Sequence, residues 1–280
     1  YEIVLIPLEG PNRPESPWMQ VTPEAYEAFS KIIVNTNKVQ HYEAHAGVYT
    51  SLNQVYWIQV KDKVSDNLLL ITNPPLPGQK KKVRQVEAIV EADLVYPLVR
   101  GREVKKWYVK SDLGYIIVPH DPKTGKPIPE HVMKIEYPKA YEYFLNFRKE
   151  LESRSLHRLW GKGNPFYAVF GIGKYTFQPY KVSWKEIAGA IRGKGVFACA
   201  VLEPIKDTYV GLKLTIPDHK IMFVPLKNPE EAYYLAGLLN SSFIRALTAS
   251  YTIETAIDTH IIDNIITVSY THLRAHETSL

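Results

Sequence analysis

Short apolar segments separated by turn residues dominate this sequence, and they most restrict the folds it can adopt. Segments of this kind, bounded by Gly, Pro, Asn or Asp, are typical of β-strands. They occupy residues 53–60, 68–72, 166–170, 196–202, 209–216 and 221–225. Because most of them are not separated by helices, the pattern does not fit repeated βαβ units. It predicts an α+β fold of mixed strands and a few helices, with a hairpin formed by the first two segments.

Three segments show the spacing of amphipathic helices. The first follows Thr22-Pro23-Glu24, which combines an N-cap residue, a proline at N1 and an acidic first turn. The second, residues 138–154, begins with a proline, spaces its aromatic residues three and four apart and ends with basic residues. The third follows Asn228-Pro229 and extends over residues 230–249. Three helices among this many strands again favour an α+β fold.

The composition fits a folded protein of one or two domains. The chain has 280 residues, of which 45% are hydrophobic and 12% aromatic, so it can bury a substantial core. No apolar run approaches the ~18 residues that a membrane-spanning helix needs, so we expect no membrane partner. The single cysteine, Cys199, excludes an internal disulfide and fits a reducing cytoplasm. We expect Cys199 to be a small buried hydrophobic residue.

Positive charge is concentrated in one segment of the chain. Residues 79–110 contain nine lysines and arginines against four acidic residues, an excess equal to the net charge of +5 of the whole chain. Such a concentration favours a polyanionic partner such as nucleic acid. The alternative is a solvated surface with scattered counter-charges, and charge alone does not decide between the two.

The tripeptide Asn73-Pro74-Pro75 follows one of the strand-like segments. Enzymes that methylate exocyclic amino groups of DNA bases carry Asn/Asp-Pro-Pro-aromatic at such a position, where the ring stacks on a flipped base. Here the fourth position is Leu76, and the sequence before residue 73 lacks the glycine-rich turn and helix start that bind a methyl donor. We therefore favour an ordinary loop and expect no catalytic residue in this chain.

Other catalytic and metal-binding patterns are weak. His41 and His45 are four residues apart, but they do not form His-Glu-x-x-His and no third ligand lies nearby. His120-Asp121 ends a strand-like segment, where turn formation is favoured over catalysis. The sequence contains neither Gly-x-Ser-x-Gly nor a Walker loop. We expect no bound metal.

One segment mixes basic and aromatic residues in the manner of a nucleic-acid surface. It is YPLVRGREVKKW, residues 96–107, with the basic residues Arg100, Arg102, Lys105 and Lys106. Arginine forms paired hydrogen bonds with guanine or phosphate, and glycine lets the backbone approach a groove closely. We expect these four residues to contact DNA backbone or base edges, unless the arginines pair with internal carboxylates such as Glu91 or Asp93.

A second segment, GIGKYTFQPYKVSWK at residues 171–185, interleaves lysines with aromatic residues. This interleaving suits a surface that follows a nucleic-acid backbone. We expect mainly phosphate contacts from Lys174, Lys181 and Lys185. A core position is favoured over stacking on bases for Tyr96, Trp107 and Trp184.

Five motifs occur in an order that resembles a known family. They are HAGVYTSLNQVYWIQV, VEADLVYPLVRGREVKKW, YPKAYEYFLNFRKELESRS, NPFYAVFGIGKYTFQPYKVSWK and EEAYYLAGLLNSSFIRAL. Together, over residues 41–266, they resemble the C-terminal half of N6-adenine DNA methyltransferases of restriction-modification systems, including enzymes that fuse methylation and cleavage. In that family this half is the target recognition domain, and the methyl-donor site and the Asn-Pro-Pro-aromatic loop precede it. The resemblance thus implies that Asn73 lies outside the catalytic centre.

The resemblance also implies a division of the chain and a function. Residues 1–40 would connect to a methyltransferase domain that precedes them, and residues 41–266 would form the recognition domain, with two subdomains dividing near residue 136. Residues 267–280 would be non-native, because VSYTHLRAHET resembles a translated sequencing adapter. The whole enzyme, in a prokaryotic cytoplasm, would hold double-stranded DNA and methylate a flipped adenine with S-adenosylmethionine, whose site is not expected in this chain. Thr50 and Asn53 would either reach bases or order their loop.

Two other functions stay open. The chain would be a methyltransferase by itself if Asn73-Pro74-Pro75 were catalytic and the donor site were unconventional. It would be a protein-interaction module if its basic loops met an acidic partner, and its binding to DNA would then be weak and indifferent to sequence.

Overall fold

The computed structural model describes residues 2–7, 12, 14–16, 18–34, 37–38, 42–78, 83–110, 114–160, 163–186, 197–251 and 267–268. Its strands are β1 (Val4–Pro7), β2 (Trp18–Val21), β3 (Asn37–Lys38), β4 (His45–Ala46), β5 (Trp57–Ser65), β6 (Leu68–Thr72), β7 (Glu87–Glu91), β8 (Val95–Val99), β9 (Gly114–Ile117), β10 (Tyr180–Lys185), β11 (Cys199–Leu202), β12 (Ile205–Asp207), β13 (Gly211–Lys213), β14 (Ile216–Pro217), β15 (Ile221–Leu226) and β16 (Thr267–Val268). Its helices are α1 (Pro23–Val34), α2 (Asn53–Tyr56), α3 (Glu130–Glu136), α4 (Pro138–Leu145), α5 (Arg148–Glu152), α6 (Ser155–Trp160), α7 (Pro229–Leu239) and α8 (Ser242–Tyr251). Helices combined with mixed sheets confirm the predicted α+β fold.

The largest sheet has six strands in the order β14-β8-β9-β5-β6-β7. Its neighbouring strands are antiparallel, except that β14 runs parallel to β8. The predicted hairpin is confirmed, with Val60 of β5 opposite Ile71 of β6. Its first strand begins later than expected, because residues 53–56 form the short helix α2. Helix α4 packs on β7, and its buried Tyr143 and Phe144 fill the core beside this sheet.

The second sheet has four antiparallel strands in the order β11-β10-β15-β4. Helix α7 packs across β10, β11 and β15. This helix begins as predicted, because the side chain of Asn228 accepts hydrogen bonds from the backbone N–H groups of Glu230 at 2.8 Å and Glu231 at 3.4 Å. Trp184 of β10 is completely buried in the core between these elements.

Two hydrophobic cores accompany the two large sheets. The first is built from residues 48–177 with Val210 and Ile216, and the second from residues 182–247 with residues of β2 and α1. The main change of core falls between residues 177 and 182, although Val210 and Ile216 return to the first core, and the domain division near residue 136 stays a prediction. A small third cluster lies where β8, β11 and β15 meet and contains Val99, Val104, Ala200, Leu202 and Ile221.

Two predicted helices are interrupted at asparagines. Within residues 138–154, α4 and α5 are separated at Asn146, whose side-chain amide donates to two carbonyl groups of the preceding turn at 3.0 and 3.2 Å. Within residues 230–249, α7 and α8 are separated at Asn240, whose side chain pairs with the backbone N–H and C=O of Cys199 at 3.1 and 2.8 Å. The continuous helices predicted from spacing were thus wrong at these two positions.

Other predictions had mixed outcomes. Residues 166–170 form only an isolated bridge between Phe170 and Tyr49, and the predicted strand over residues 209–216 is divided between β13 and β14. Cys199 is completely buried, as predicted. β16, in the segment expected to be non-native, pairs with β3. Among the described residues, no helix is both long and apolar enough to cross a membrane.

Candidate nucleic-acid interface

Residues 100–110, which we call the basic hairpin, leave the end of β8 and fold back on themselves. Val104 and Val109 form an antiparallel bridge, and the backbone N–H of Lys105 donates to the carbonyl of Tyr108 at 2.9 Å. Val104 is buried in the third hydrophobic cluster, with Val109 packed against that cluster, so the base of the hairpin is anchored in the protein. The exposed or half-exposed basic side chains of the hairpin are Arg100, Arg102, Lys105, Lys106 and Lys110.

Glu103 positions the two arginines of the basic hairpin. Its buried carboxylate accepts hydrogen bonds from Nη2 of Arg100 at 2.9 Å, from the backbone N–H of Arg100 at 2.6 Å and from Nε of Arg102 at 2.7 Å. Burial raises the pKa of Glu103, but hydrogen bonds from Arg102 and Arg100 outweigh burial and hold this pKa below its ordinary value. The alternative that the sequence left open, pairing of the arginines with an internal carboxylate, is therefore what the structure shows, although the partner is Glu103. Glu91, one of the two carboxylates suggested, instead caps α4 through two backbone N–H groups.

Two lysines from other elements join the hairpin across a groove. The cavity has a volume of about 420 Å³, and we call it the basic groove; its lining residues are Arg100, Gly101, Arg102, Lys185, Asp218 and Lys220. A side-chain carbon added to Gly101 would lie 3.8 Å from Cγ of Lys185 and 3.7 Å from the carbonyl oxygen of Lys220. Burial, together with the nearby charge of Lys105, lowers the pKa of Lys185. The two basic segments of the sequence therefore meet at this groove.

Asp218 and Lys220 are functional candidates that the sequence did not reveal. They occupy the turn between β14 and β15, where the carboxylate of Asp218 accepts the backbone N–H of Lys220 at 3.0 Å. Burial raises the pKa of Asp218 from 3.8 to about 6, and the charge of Glu103 adds to this shift. A polar turn between two apolar segments is visible in the sequence, but only the pairing of β14 with β8 brings it beside the hairpin.

The turn at residues 217–221 also brings two further motifs toward the groove. The backbone N–H of Gly47 donates to the carbonyl of Ile221, the last residue of this turn, at 2.8 Å. A glycine is required there, because an added Cβ would lie 2.1 Å from the backbone oxygen of Asp218. The next motif residue, Tyr49, exchanges backbone hydrogen bonds with Phe170 at 2.9 and 3.0 Å. The motif that contains Gly47 and Tyr49, the motif that contains Phe170, and the basic hairpin are distant in the sequence but pack around this one turn.

Thr50 and Asn53 order the loop in which they lie. Thr50 is completely buried; its hydroxyl donates to the side-chain oxygen of Asn53 and accepts the backbone N–H of Leu52 at 3.3 Å. The buried guanidinium group of Arg154 donates to the carbonyl of Thr50 at 2.8 Å. Of the two roles that the sequence left equal, this geometry favours loop ordering, and contact of either residue with a base stays a prediction.

The three lysines of residues 171–185 lie in three different environments. Lys185 lines the basic groove, and Lys174 is exposed at the start of a 3-10 turn. Lys181 is completely buried; its Nζ donates to the carbonyls of Gln178 at 2.7 Å and Thr215 at 3.2 Å, and burial lowers its pKa to about 7. A buried amine does not reach a phosphate at the surface, so we exclude Lys181 from the candidate interface.

The aromatic residues of the two basic segments separate into buried and exposed groups. Tyr96 and Trp184 lie in hydrophobic cores, as expected. The core position expected for Trp107 was wrong, because this side chain is 56% exposed and its neighbour Tyr108 is 58% exposed. The ammonium group of Lys106 lies 5.2 Å from the centroid of the Trp107 ring. The basic hairpin thus carries aromatic surface among its cations.

Asn73 is held inside the protein by three hydrogen bonds. Its Nδ2 donates to the carbonyl of Arg84 at 3.0 Å, and its Oδ1 accepts the backbone N–H of Val86 at 2.7 Å. The backbone N–H of Asn73 donates to the carbonyl of Val86 at 3.4 Å. The side chain is completely buried. This geometry supports the loop interpretation of Asn-Pro-Pro, in which the asparagine fastens the loop to the segment that follows it.

His120-Asp121 forms a turn, as favoured from the sequence. Nδ1 of His120 lies 3.0 Å from the carbonyl oxygen of Gly125, and Nε2 accepts the backbone N–H of Val169 at 3.2 Å. Burial lowers the pKa of His120 to about 4, so the ring is neutral at pH 7. Asp121 accepts two hydrogen bonds from within the turn.

Two groups of residues considered in the sequence analysis lie outside the residues that the structure describes. They are His41, of the histidine pair, and residues 80–82, which contribute three lysines to the basic segment. The ring of His45 stacks on the ring of Tyr175 with centroids 3.8 Å apart. Within the described ranges, no group of three or more His, Cys, Asp or Glu residues could hold a metal ion.

Comparison with known proteins gives these observations a context. No protein-family model matches the chain. The chain is similar to the type II methyltransferase M.NspV of Nostoc sp., with 26% identity over 166 residues that cover 58% of this chain and 30% of that protein. It is also similar to the type II methyltransferase M.MjaIV of Methanocaldococcus jannaschii, with 24% identity over 155 residues that cover 55% of this chain and 46% of that protein. The chain is thus distantly related to type II methyltransferases, and the match spans less than half the length of either relative.

Proposed function

From this relationship and the geometry of the basic groove, we propose that the chain is the DNA-binding target-recognition region of an adenine-N6 DNA methyltransferase of a restriction-modification system. The whole enzyme, in a prokaryotic cytoplasm, transfers a methyl group from S-adenosylmethionine to the amino group of an adenine flipped out of the duplex. A methyltransferase domain outside this chain holds the donor and the target base. The described residues hold double-stranded DNA against that domain.

The observation that carries this proposal is the convergence of cations at the basic groove. Arg100 and Arg102 follow β8, Lys185 ends β10, and Lys220 precedes β15, yet all four line one cavity beside Lys105. Two carboxylates, Glu103 and Asp218, offset part of this charge, and a polyanion interacts favourably with the positive charge that remains. A DNA backbone supplies regularly spaced negative charges of the kind that such a cluster attracts.

The two arginines have different parts in this interface. Arg100 is 22% exposed and donates hydrogen bonds from both Nε and Nη2 to the carboxylate of Glu103. Its main part is therefore to order the hairpin and to add positive charge. Arg102 is 71% exposed and donates a hydrogen bond from Nε to the same carboxylate. Its outer guanidinium edge is therefore accessible for paired hydrogen bonds with guanine or with phosphate. Arg102 is accordingly the strongest candidate for reading a base.

A binding titration at several salt concentrations tests the proposal. The full chain is titrated with mixed-sequence duplexes between 50 and 200 mM salt, and the slope of log K against log[salt] is measured. We expect a slope of roughly −3 to −5, because each phosphate contact contributes about −0.9. Lys185→Ala combined with Lys220→Ala should make the slope about two units shallower and weaken binding to all sequences.

A matched control separates the groove from a general effect of charge. Lys61→Ala combined with Lys149→Ala removes the same charge from exposed positions on β5 and α5, and should change the slope by less than the groove variant. Thermal melting of each variant checks that it is folded. Absence of salt-dependent binding by the folded chain, or equal slopes for groove and control variants, would contradict the proposal; equal weak slopes would favour the protein-interaction alternative.

Sequence recognition needs a second readout. Selection of bound duplexes from a random-sequence pool should enrich a common motif. Arg102→Lys keeps the charge but loses the planar fork of the guanidinium group, so it should keep the salt dependence and relax the preference at one position. A pool that shows no enrichment would restrict the chain to sequence-independent DNA binding.

A further inference from the structure

The tip of the basic hairpin exposes two neighbouring aromatic side chains. Trp107 is 56% exposed and Tyr108 is 58% exposed, so much of the surface of both rings is accessible to water. Exposure of aromatic surface of this size is unfavourable in the unbound protein, and contact with a partner relieves it. The groove as defined by its lining residues makes no use of either ring.

The protein holds this aromatic tip in a fixed position. The backbone N–H of Trp107 donates to the carbonyl of Cys199 in β11 at 3.1 Å, which ties the tip to the four-stranded sheet. The backbone N–H of Lys105 donates to the carbonyl of Tyr108 at 2.9 Å and closes the turn. An aromatic surface that is already ordered loses little conformational freedom when it binds a partner.

The backbone conformation of Trp107 is unusual for a large side chain. Its φ of 76° lies in the left-handed region, which glycine adopts freely and bulky residues rarely adopt. Residues held in such conformations concentrate at ligand-binding and active sites. Glycine would satisfy this turn without strain, and the chain nevertheless carries an indole ring here.

The charges around the tip indicate the chemistry of its partner. The ammonium group of Lys106 lies 5.2 Å from the centroid of the Trp107 ring, and Lys105 precedes it in the same turn. An aromatic ring among cations suits a partner that is itself aromatic and carries negative charge. A nucleotide of a DNA strand has both properties, because its base stacks on the indole ring while its phosphate attracts the lysines.

We infer that Trp107, with Tyr108 beside it, stacks on a single unstacked nucleobase of the bound DNA. The inference rests on the proposed function, because flipping an adenine out of a duplex leaves a base opposite it without its partner. Stacking on an aromatic ring tolerates every base, since each base has a π-face. Trp107 therefore favours distorted DNA, whereas the choice of sequence lies with hydrogen-bonding side chains.

Binding to two duplexes that differ at one position tests this inference. One duplex is fully paired, and the other has the same sequence with one abasic site, which leaves the opposite base without a partner. The wild-type chain should prefer the abasic duplex by roughly tenfold, the size of one base–aromatic stack. Trp107→Gly should abolish this preference while the melting temperature stays equal or rises, because glycine adopts the positive φ without strain. Trp107→Phe should keep most of the preference.

Trp18→Leu is the matched control, because Trp18 is 50% exposed and lies in β2, outside the hairpin. This variant should bind both duplexes like the wild-type chain. An equal preference in the wild-type chain and Trp107→Gly would overturn the inference, as would salt-dependent wild-type binding without any preference for the abasic duplex. Loss of the proposed function would look different, because salt-dependent binding to the fully paired duplex would itself be absent.

Discussion

The Asn-Pro-Pro loop and the basic hairpin were both functional candidates in the sequence, but the structure buries the side chain of the first and exposes side chains of the second. Asn73 is completely buried, and both ends of its side-chain amide bond to the backbone of residues 84 and 86. In the hairpin, Arg102 is 71% exposed and Trp107 is 56% exposed. The first loop uses its polar groups within the fold, whereas the second presents them to solvent.

This difference shows that the residue types of a motif do not by themselves define its role. A loop that accepts a hydrogen bond from a flipped base needs a side-chain oxygen that the fold leaves available. In Asn73 that oxygen accepts a backbone N–H at 2.7 Å, so the fold already uses it. Buried polar groups need such partners, and the asparagine provides them for a segment without regular structure.

The largest expected effect concerns the buried loop. Asn73→Ala removes the partners of the carbonyl of Arg84 and the N–H of Val86, so we expect the free energy of unfolding to fall by about 3 kcal/mol. Chemical denaturation measures this loss. Gln59→Ala, at an exposed amide on β5, is the control and should change stability by less than about 0.5 kcal/mol.

The same variant also sharpens the comparison between the two loops. At a temperature where Asn73→Ala is folded, its affinity for duplex DNA should equal that of the wild-type chain. A variant that keeps wild-type stability but loses DNA binding would place the Asn-Pro-Pro loop at the interface and would break the comparison.

The next effect concerns the carboxylate beneath the basic groove. Burial raises the pKa of Asp218 from 3.8 to about 6, so the folded state binds a proton more tightly than the unfolded state. Stability should therefore fall as pH rises from about 4 to 6, by about 2–3 kcal/mol from this group. Asp218→Asn should remove that fall and stabilise the chain at pH 7, which thermal melting across this pH range measures.

Asp218→Asn should also raise DNA affinity a few-fold at pH 7, because it removes a negative charge from the groove. Asp66→Asn removes the same charge from a fully exposed carboxylate in the β5–β6 turn and serves as the control; it should change DNA affinity by less than Asp218→Asn does. A decrease in affinity for Asp218→Asn would indicate that this carboxylate contacts the DNA as an acceptor.

The smallest effect on DNA affinity separates two lysines of one strand. Lys185→Met should weaken DNA binding a few-fold, because Lys185 lines the groove. Lys181→Met should leave the affinity of the folded chain within about twofold, because this amine is buried on two carbonyl groups. Equal losses in the two variants would mean that burial of Lys181 does not persist when DNA binds.

Burial of Lys181 has its own pH dependence. Because burial lowers its pKa to about 7, the folded state binds this proton less tightly than the unfolded state does. The contribution of Lys181 to stability should therefore rise as pH increases from about 7 toward the ordinary lysine value near 10.4. Lys181→Met should flatten this part of the stability profile.

Local sequence signals predicted the elements whose causes are local. The N-cap and proline before α1 and α7, and the alternation in β5 and β6, depend on neighbouring residues alone. The break between α7 and α8 depends instead on Asn240 pairing with Cys199, which lies in another element. Such a contact exists only after the chain has folded, so helical spacing could not reveal it.

The same limit applies to the candidate interface. The arginines of the hairpin and Lys185 were predicted as DNA contacts because basic and aromatic residues cluster in sequence. Lys220 was missed, since it is isolated in sequence and reaches the groove through the pairing of its neighbouring strands. The burial of Lys181, whose Nζ donates to the carbonyl of Thr215 from a distant segment, could not be predicted from local spacing either.

Lysine labelling of the full chain with and without duplex DNA, read out by mass spectrometry, tests the central claim most directly. The account predicts that DNA protects Lys105, Lys106, Lys185 and Lys220 several-fold, because phosphates cover them. Lys61, Lys63 and Lys149, on β5 and α5, should react equally in both samples. Unchanged labelling at the groove, or protection confined to the lysines of β5 and α5, would contradict the claim that the basic hairpin and groove form the DNA interface.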